Sequence, residues 1–244
     1  MIHVQQIIPV LQSLWQPLGD NPLPGLLLTL ICYQFGLWLY QRCGRTALLH
    51  PIATSAPLIA LLLYGLNVRY PDYQTSTWLL HFFLGPSVVA MAIPLYREFH
   101  HIRKLALPVL LVTSVGAIVA AACGVGAAWL VGASEEVLLA LAPKSATTPI
   151  AIGIAENIGA PSTLTTGVVV FTGVVGVLMS PLVFRILRLQ DDRLQGLILG
   201  VNAHGVGIAR CFDLSPTAGA FATLAMGLTG TFTALTLPYV VAWF

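Results

Sequence analysis

The chain has 244 residues, of which 57% are hydrophobic and 8% charged, and its mean hydropathy is +0.87. Soluble domains carry about 25% charged residues, so this chain lacks the side chains to cover a water-facing surface and reads as one integral membrane domain. A net charge of +2, with no basic stripe interleaved with aromatics, argues against a nucleic-acid partner.

In chain order, residues Ile2 to Leu18 mix apolar and polar positions around Trp15 and predict a short interfacial helix, closed by Gly19-Asp20-Asn21-Pro22. This sets residues 1–22 apart from a single transmembrane domain over 23–244. No cleavable signal is expected, because no Lys or Arg precedes Arg42. Leu23 to Tyr40 predicts a span, with Trp38 and Tyr40 as interfacial anchors and Arg42 and Arg45 just beyond. Pro51 to Leu66 predicts a second. Trp78 to Tyr96 predicts a third, split at Gly85-Pro86 and kinked at Pro94. Leu105 to Val131 is long, apolar and rich in small residues, which let membrane helices approach closely. After the segment around Lys144 come Leu164 to Leu187, a weaker segment Leu194 to Ala209 with Asn202 and His204, and a final span Thr217 to Phe244. The expected fold is all-α: a polytopic membrane bundle of about seven to eight hydrophobic segments, two of them discontinuous or re-entrant. The four cysteines form no CxxC pair and read as small buried hydrophobes.

The most informative run is Ala142-Pro143-Lys144-Ser145-Ala146-Thr147-Thr148-Pro149, which puts a cation, three hydroxyls and two prolines inside an apolar segment. A cation in hydrocarbon costs at least about 2.5–3.5 kcal/mol on insertion scales and by default marks a working site. Pro143 and Pro149 interrupt the helix and leave backbone groups free to bind. Lys144 offers a point charge, and Ser145, Thr147 and Thr148 offer neutral donors beside a helix N-terminus, which together suit an anion. The alternative is that Lys144 snorkels to the interface or pairs with Glu156.

A second segment resembles this one when Pro86 is aligned with Pro143. Each has an apolar half-helix, a small residue, a proline, a hydroxyl and a later proline, with Ser87 standing opposite Lys144. On this alignment the repeat copies run over about 75–131 and 132–188. Interrupted segments in corresponding positions point to a transporter binding site.

Three junctions are basic: Arg42/Arg45, Arg97/Arg103/Lys104 and Arg185/Arg188/Arg193. The positive-inside rule places all three on one side, but three hydrophobic segments separate the second from the third. Either Ser134 to Asn157 is a re-entrant hairpin with Pro143-Lys144-Ser145 at its tip, or the acid-diluted third junction is external.

These motifs resemble the LrgB/CidB family, including its YohK branch and the LrgB-like half of the plastid glycolate/glycerate translocator. The resemblance runs from about Leu23 to the C-terminus. It is carried by Leu141 to Ala151, by Ala203-His204-Gly205-Val206-Gly207-Ile208-Ala209-Arg210, by Ala218 to Leu228, and by Leu84-Gly85-Pro86 with Ala92-Ile93-Pro94-Leu95. Asn202 departs from a serine common among relatives. The resemblance implies a multi-pass protein of the bacterial inner (cytoplasmic) membrane working with a small LrgA/CidA/YohJ-type partner. It implies one of two roles: carriage of small monocarboxylates of the pyruvate, glycolate or glycerate class, or holin/antiholin-like modulation of murein hydrolases and autolysis.

On the carrier reading, Lys144, Ser145, Thr147, Thr148 and Ser87 surround the carboxylate, and Arg210 is either a second clamp or an interfacial flank. His204 is either a proton-coupling group or a packing histidine, and Glu156 either a counter-ion or an interfacial charge. No cofactor or metal is expected, with proton or sodium coupling as the energy source. A homodimer fits the Gly-rich spans. No HExxH, GxSxG or paired-Asp motif occurs in the spans, so no enzymatic activity is expected.

Overall fold

The computed structural model describes residues 23–46, 49–90 and 92–243, so the interfacial helix expected within 1–22 lies outside the described residues. Regular structure among the described residues is entirely helical. With no water in hydrocarbon to satisfy peptide groups, that is the form an apolar chain without barrel-like alternation must take. Among the described residues five helices are long and apolar enough to cross a membrane, or six if the pair Pro51–Gly65 and Tyr70–Ser76, bent by 119°, is one broken span. The chain divides between Ala90 and Met91 into two compact units.

In the first unit, α1 (Leu23–Arg42) and α2 (Pro51–Gly65) pack as a pair, followed by α3 (Tyr70–Ser76) and α4 (Trp78–Ala90). The side-chain oxygens of Thr29 and Tyr73 are hydrogen-bonded at 2.7 Å, tying α3 to α1. Contrary to the sequence expectation, α4 is continuous through Gly85 and Pro86. A proline removes one hydrogen bond, and a membrane helix absorbs that loss as a local distortion without ending. Ser87 lies exposed on α4.

The second unit opens with two short helices, α5 (Ala92–Arg97), with Pro94 in its first turn, and α6 (Phe99–Lys104). Then come α7 (Ala106–Leu130), α8 (Glu135–Leu141), α9 (Thr148–Ile158), α10 (Ser162–Ile186), α11 (Asp192–Leu214) and α12 (Pro216–Val241). Their directions follow from which residues meet. Val109 of α7 shares a buried cluster with Leu197 and Val201 of α11 and Phe221 and Ala225 of α12. Further along, Gly116 faces Val201, and Gly196 and Gly200 lie against the Ala218 and Ala222 carbonyls. The contacts advance together, so α7, the first half of α11 and α12 run parallel. α10 runs the other way: its Gly176 faces Ala203, and its Phe184 shares a groove with Ile198.

Because α7 and α10 run in opposite senses, the end of one and the start of the other lie on the same face. The chain between them must enter and leave by that face. α8 turns back along α7 after Leu130, and α9 is joined to α10 by a sharp reversal. There Gly159 caps the helix with φ 73°, and the Ala160 N–H donates to the Ala155 carbonyl at 2.8 Å. The segment expected over Ser134 to Asn157 is therefore the re-entrant alternative, with Pro143 to Thr147 at its tip. At seven and eleven residues, α8 and α9 are about 10 and 16 Å long, each reaching only partway into a core about 30 Å thick.

A second hairpin follows, and sequence reading did not foresee it. A β-carbon on Gly207 would lie 2.5 Å from the Leu199 carbonyl oxygen. Along a straight helix those residues would stand about 12 Å apart. The chain therefore folds back within α11, and it does so at His204, where φ is 39° and ψ is −125°. The first half of α11 descends to His204 and the second half returns to Leu214, close beside it. Ser215 then caps α12 by accepting the Ala218 N–H at 3.1 Å, with Pro216 in the first turn where its missing donor costs nothing.

The structural repeat is thus a crossing helix plus a re-entrant hairpin, over 106–158 and again over 162–214, with opposite orientations. These bounds differ from the copies at 75–131 and 132–188 drawn from the proline alignment, and α4 has no break to match the one at Pro143. It also resolves the charge pattern within this unit. Arg103 and Lys104 precede α7 and Arg185 and Arg188 end α10, so both basic junctions share one face. Thr217 donates to Glu98 at 3.0 Å on that same face.

Candidate functional site: two hairpin tips in contact

The first tip forms because the sequence cannot continue a helix through it. α8 stops at Leu141, two residues before Pro143, which is fully buried. Short turns then close the chain: the Lys144 N–H donates to the Leu141 carbonyl at 3.1 Å, and the Ala146 N–H to the Pro143 carbonyl at 2.9 Å. α9 restarts after Thr147 with no side-chain cap, and Pro149 occupies its first turn. Its leading N–H groups thus remain available at the tip.

Lys144 is half-buried, and its aliphatic stem lies across α7 at Gly124, where a β-carbon would run into its Cε. The glycine is what allows the stem to lie there. No acidic side chain among the described residues forms an ion pair with Lys144. Glu156 is exposed well along α9, so the pairing considered from sequence is not formed. Ser145 is 3% exposed, and its hydroxyl has no hydrogen-bond partner among the described residues. A buried unpaired hydroxyl costs about 1–3 kcal/mol. Thr147 and Thr148 flank it, both half-buried.

The second tip reaches the first directly. His204, itself buried, donates from Nε2 to the main-chain carbonyl of Lys144 at 3.0 Å, across sixty residues of chain. A carbonyl only accepts, so this bond fixes the proton on Nε2. Gly173 and Gly176 of α10 lie against Ala203 and the His204 ring. Both fall near the middle of a 25-residue crossing helix, so the tips meet near the membrane midplane. Asn202 stands two residues before His204 but is exposed, its amide spent on the Ile198 carbonyl at 2.9 Å. Arg210 lies about 9 Å further along the returning half and is not brought to the Lys144 tip.

One feature escaped sequence reading. Thr223, Thr233 and Thr236 of α12 each donate to the carbonyl four residues back, at 2.8, 2.7 and 2.7 Å. Thr229, on the same helix, does not: its hydroxyl is buried with no partner, one residue before Gly230, which abuts Ile150 of α9. Thr165 of α10 is likewise buried and unpaired. Nothing in sequence distinguishes these threonines from their neighbours. Among the described residues no cluster of three or more His, Cys, Asp or Glu could hold a metal. The cysteines are free, Cys32 and Cys211 buried as expected but Cys43 and Cys123 exposed.

These elements define a polytopic helical membrane protein in which two oppositely inserted re-entrant hairpins meet tip to tip. Comparison with known proteins adds a name to that class: the chain belongs to the LrgB-like family, which it matches over residues 29–243. It is 34% identical to YwbG of Bacillus subtilis (strain 168) over 90% of this chain and 97% of that protein. It is 33% identical to YxaC of the same organism, over 83% of this chain and 88% of the relative. An antiholin-like protein LrgB of Bacillus mycoides (strain KBAB4) is 28% identical over 89% of this chain and 95% of its own length. No solved structure matches.

Proposed function

We propose that the protein is a secondary carrier of small monocarboxylates of the pyruvate, glycolate or glycerate class, working by alternating access. The observation that carries this reading is the Lys144 tip. A cation without an acidic partner, an unpaired buried Ser145 hydroxyl and an uncapped helix N-terminus converge there, near the midplane. That set is matched to a carboxylate: one charge for its charge and several N–H and O–H donors for its oxygens. Opposed hairpins supply two barriers, one toward each face, as alternating access requires. The basic face of the second unit would be cytoplasmic, in a bacterial inner membrane.

Thr147 and Thr148 complete the donor set, and proton or sodium movement drives uptake. Arg210, Asn202 and Glu156 stand away from the anion. The protein would work without cofactor or catalysis, as a homodimer and with a small LrgA/CidA/YohJ-type partner. A second reading is favoured by the names of relatives: an antiholin-like membrane protein that modulates murein hydrolases and autolysis. Counterflow in proteoliposomes separates the two. Saturable exchange of labelled pyruvate, glycolate or glycerate supports the carrier, whereas unselective dye leakage supports the antiholin-like reading and defeats the carrier.

A further inference from the structure

At His204 the backbone has φ 39° and ψ −125°. This lies outside the regions open to residues with a β-carbon and resembles the first central position of a mirror-image turn, where glycine is the ordinary occupant. Glycine was one step away in the chain, at Gly205, and again at Gly207. The strained position nevertheless carries an imidazole. The strain is not forced by the fold, since a glycine at 204 would make the same reversal freely. What glycine would not make is the hydrogen bond from Nε2 to the Lys144 carbonyl. A conformation kept against its own cost, where the side chain reaches across to another element, points from outlier to role.

We infer that His204 is a latch between the two hairpin tips: a positioning residue held in a strained turn so that its imidazole keeps the first tip, and with it Ser145, closed away from water. The acceptor is a main-chain oxygen, so the latch takes no charge from Lys144 and leaves its ammonium for a ligand. It joins the two copies of the repeat at their corresponding points, where one bond opposes opening toward either face. The latch rests on the carrier reading only for what it guards. Its geometry stands without that reading.

The test reads accessibility at the buried tip. Ser145→Cys is introduced into the full-length protein with the native cysteines replaced by alanine, and the thiol at 145 is labelled with a membrane-impermeant maleimide. His204→Gly should fold as well as the parent, with an equal or higher melting temperature, and should label roughly three- to tenfold faster, the population change expected for one lost hydrogen bond. His204→Gln, which restores a donor at similar reach, should return labelling to the parent rate. Unchanged labelling in His204→Gly would overturn the latch, as would equally fast labelling in His204→Gln. Misfolding of His204→Gly would also overturn it, because glycine fits the turn. Counterflow is measured separately on the protein that keeps Ser145: this labelling pattern together with no counterflow in the unsubstituted protein would keep the latch and lose the carrier.

Discussion

Replacing Lys144 by methionine keeps the stem that lies across Gly124 and removes only the ammonium. Two effects of opposite sign follow. The fold is relieved of a cation that no acidic group among the described residues neutralises, which costs about 2.5–3.5 kcal/mol on insertion scales. Some of that cost is already relieved by partial exposure, so Lys144→Met should raise stability by a fraction of it, on the order of 1 kcal/mol. Binding moves the other way. A hydrogen bond to a charged group is worth about 1.5–3 kcal/mol, so the affinity for a monocarboxylate should fall roughly 10- to 100-fold. Thermal unfolding in detergent and concentration-dependent counterflow in proteoliposomes read the two effects separately. A variant that is more stable but transports poorly is the signature of a site whose strain serves a ligand. A variant that melts lower while exchanging substrate at the wild-type rate would refute the argument and make Lys144 a snorkelling residue.

Three further outcomes follow from the fold. Single cysteines at Ser134 and Ser162 should label from one side of the membrane and a cysteine at Ser215 from the other, measured with impermeant reagents in oriented vesicles; labelling of 134 and 162 from opposite sides would remove the first hairpin. Thr229→Val replaces an unpaired buried hydroxyl with a methyl of the same shape and should stabilise by about 1 kcal/mol in thermal unfolding, whereas destabilisation would show that the hydroxyl has a partner. At the N-terminal end of α11, Asp191 pairs with the Arg193 guanidinium at 2.7 Å and accepts the Arg193 backbone N–H at 2.9 Å, which holds its carboxyl below the usual carboxylate range. The folded carboxylate is thus the more acidic one, so its cap is fully present above the unfolded value and is lost as pH falls through the folded one. Asp191→Ala should cost about 1 kcal/mol near neutrality and nothing in strong acid, as read by melting temperature against pH.

The LrgB-like family and the break at Pro143 to Pro149 were both legible in the sequence, for a local reason. Two prolines, a lysine and three hydroxyls within one apolar stretch leave a helix neither the hydrogen bonds nor the solvation to continue. Alternation of apolar stretches with basic junctions also stated the topological problem correctly, and offered the hairpin as one of its two solutions. The partner of that hairpin was misread, because a proline in a membrane helix distorts it without having to break it. Pro86 passes through α4, while the true second break has no proline at all.

Composition and local chemistry thus determined, without structure, that this chain lives in a bilayer and interrupts a helix around Lys144. Each peptide group must be satisfied within hydrocarbon, and that rule acts residue by residue. Tertiary packing alone decided that α11 folds back at His204. Its 23 residues are apolar enough to cross, and only the close approach of Gly207 to Leu199 and the reach of an imidazole to the Lys144 carbonyl make the reversal. The imidazole contact joins residues sixty apart in the chain, and the Gly207 approach forms only once the chain has already turned, so no local pattern encodes either.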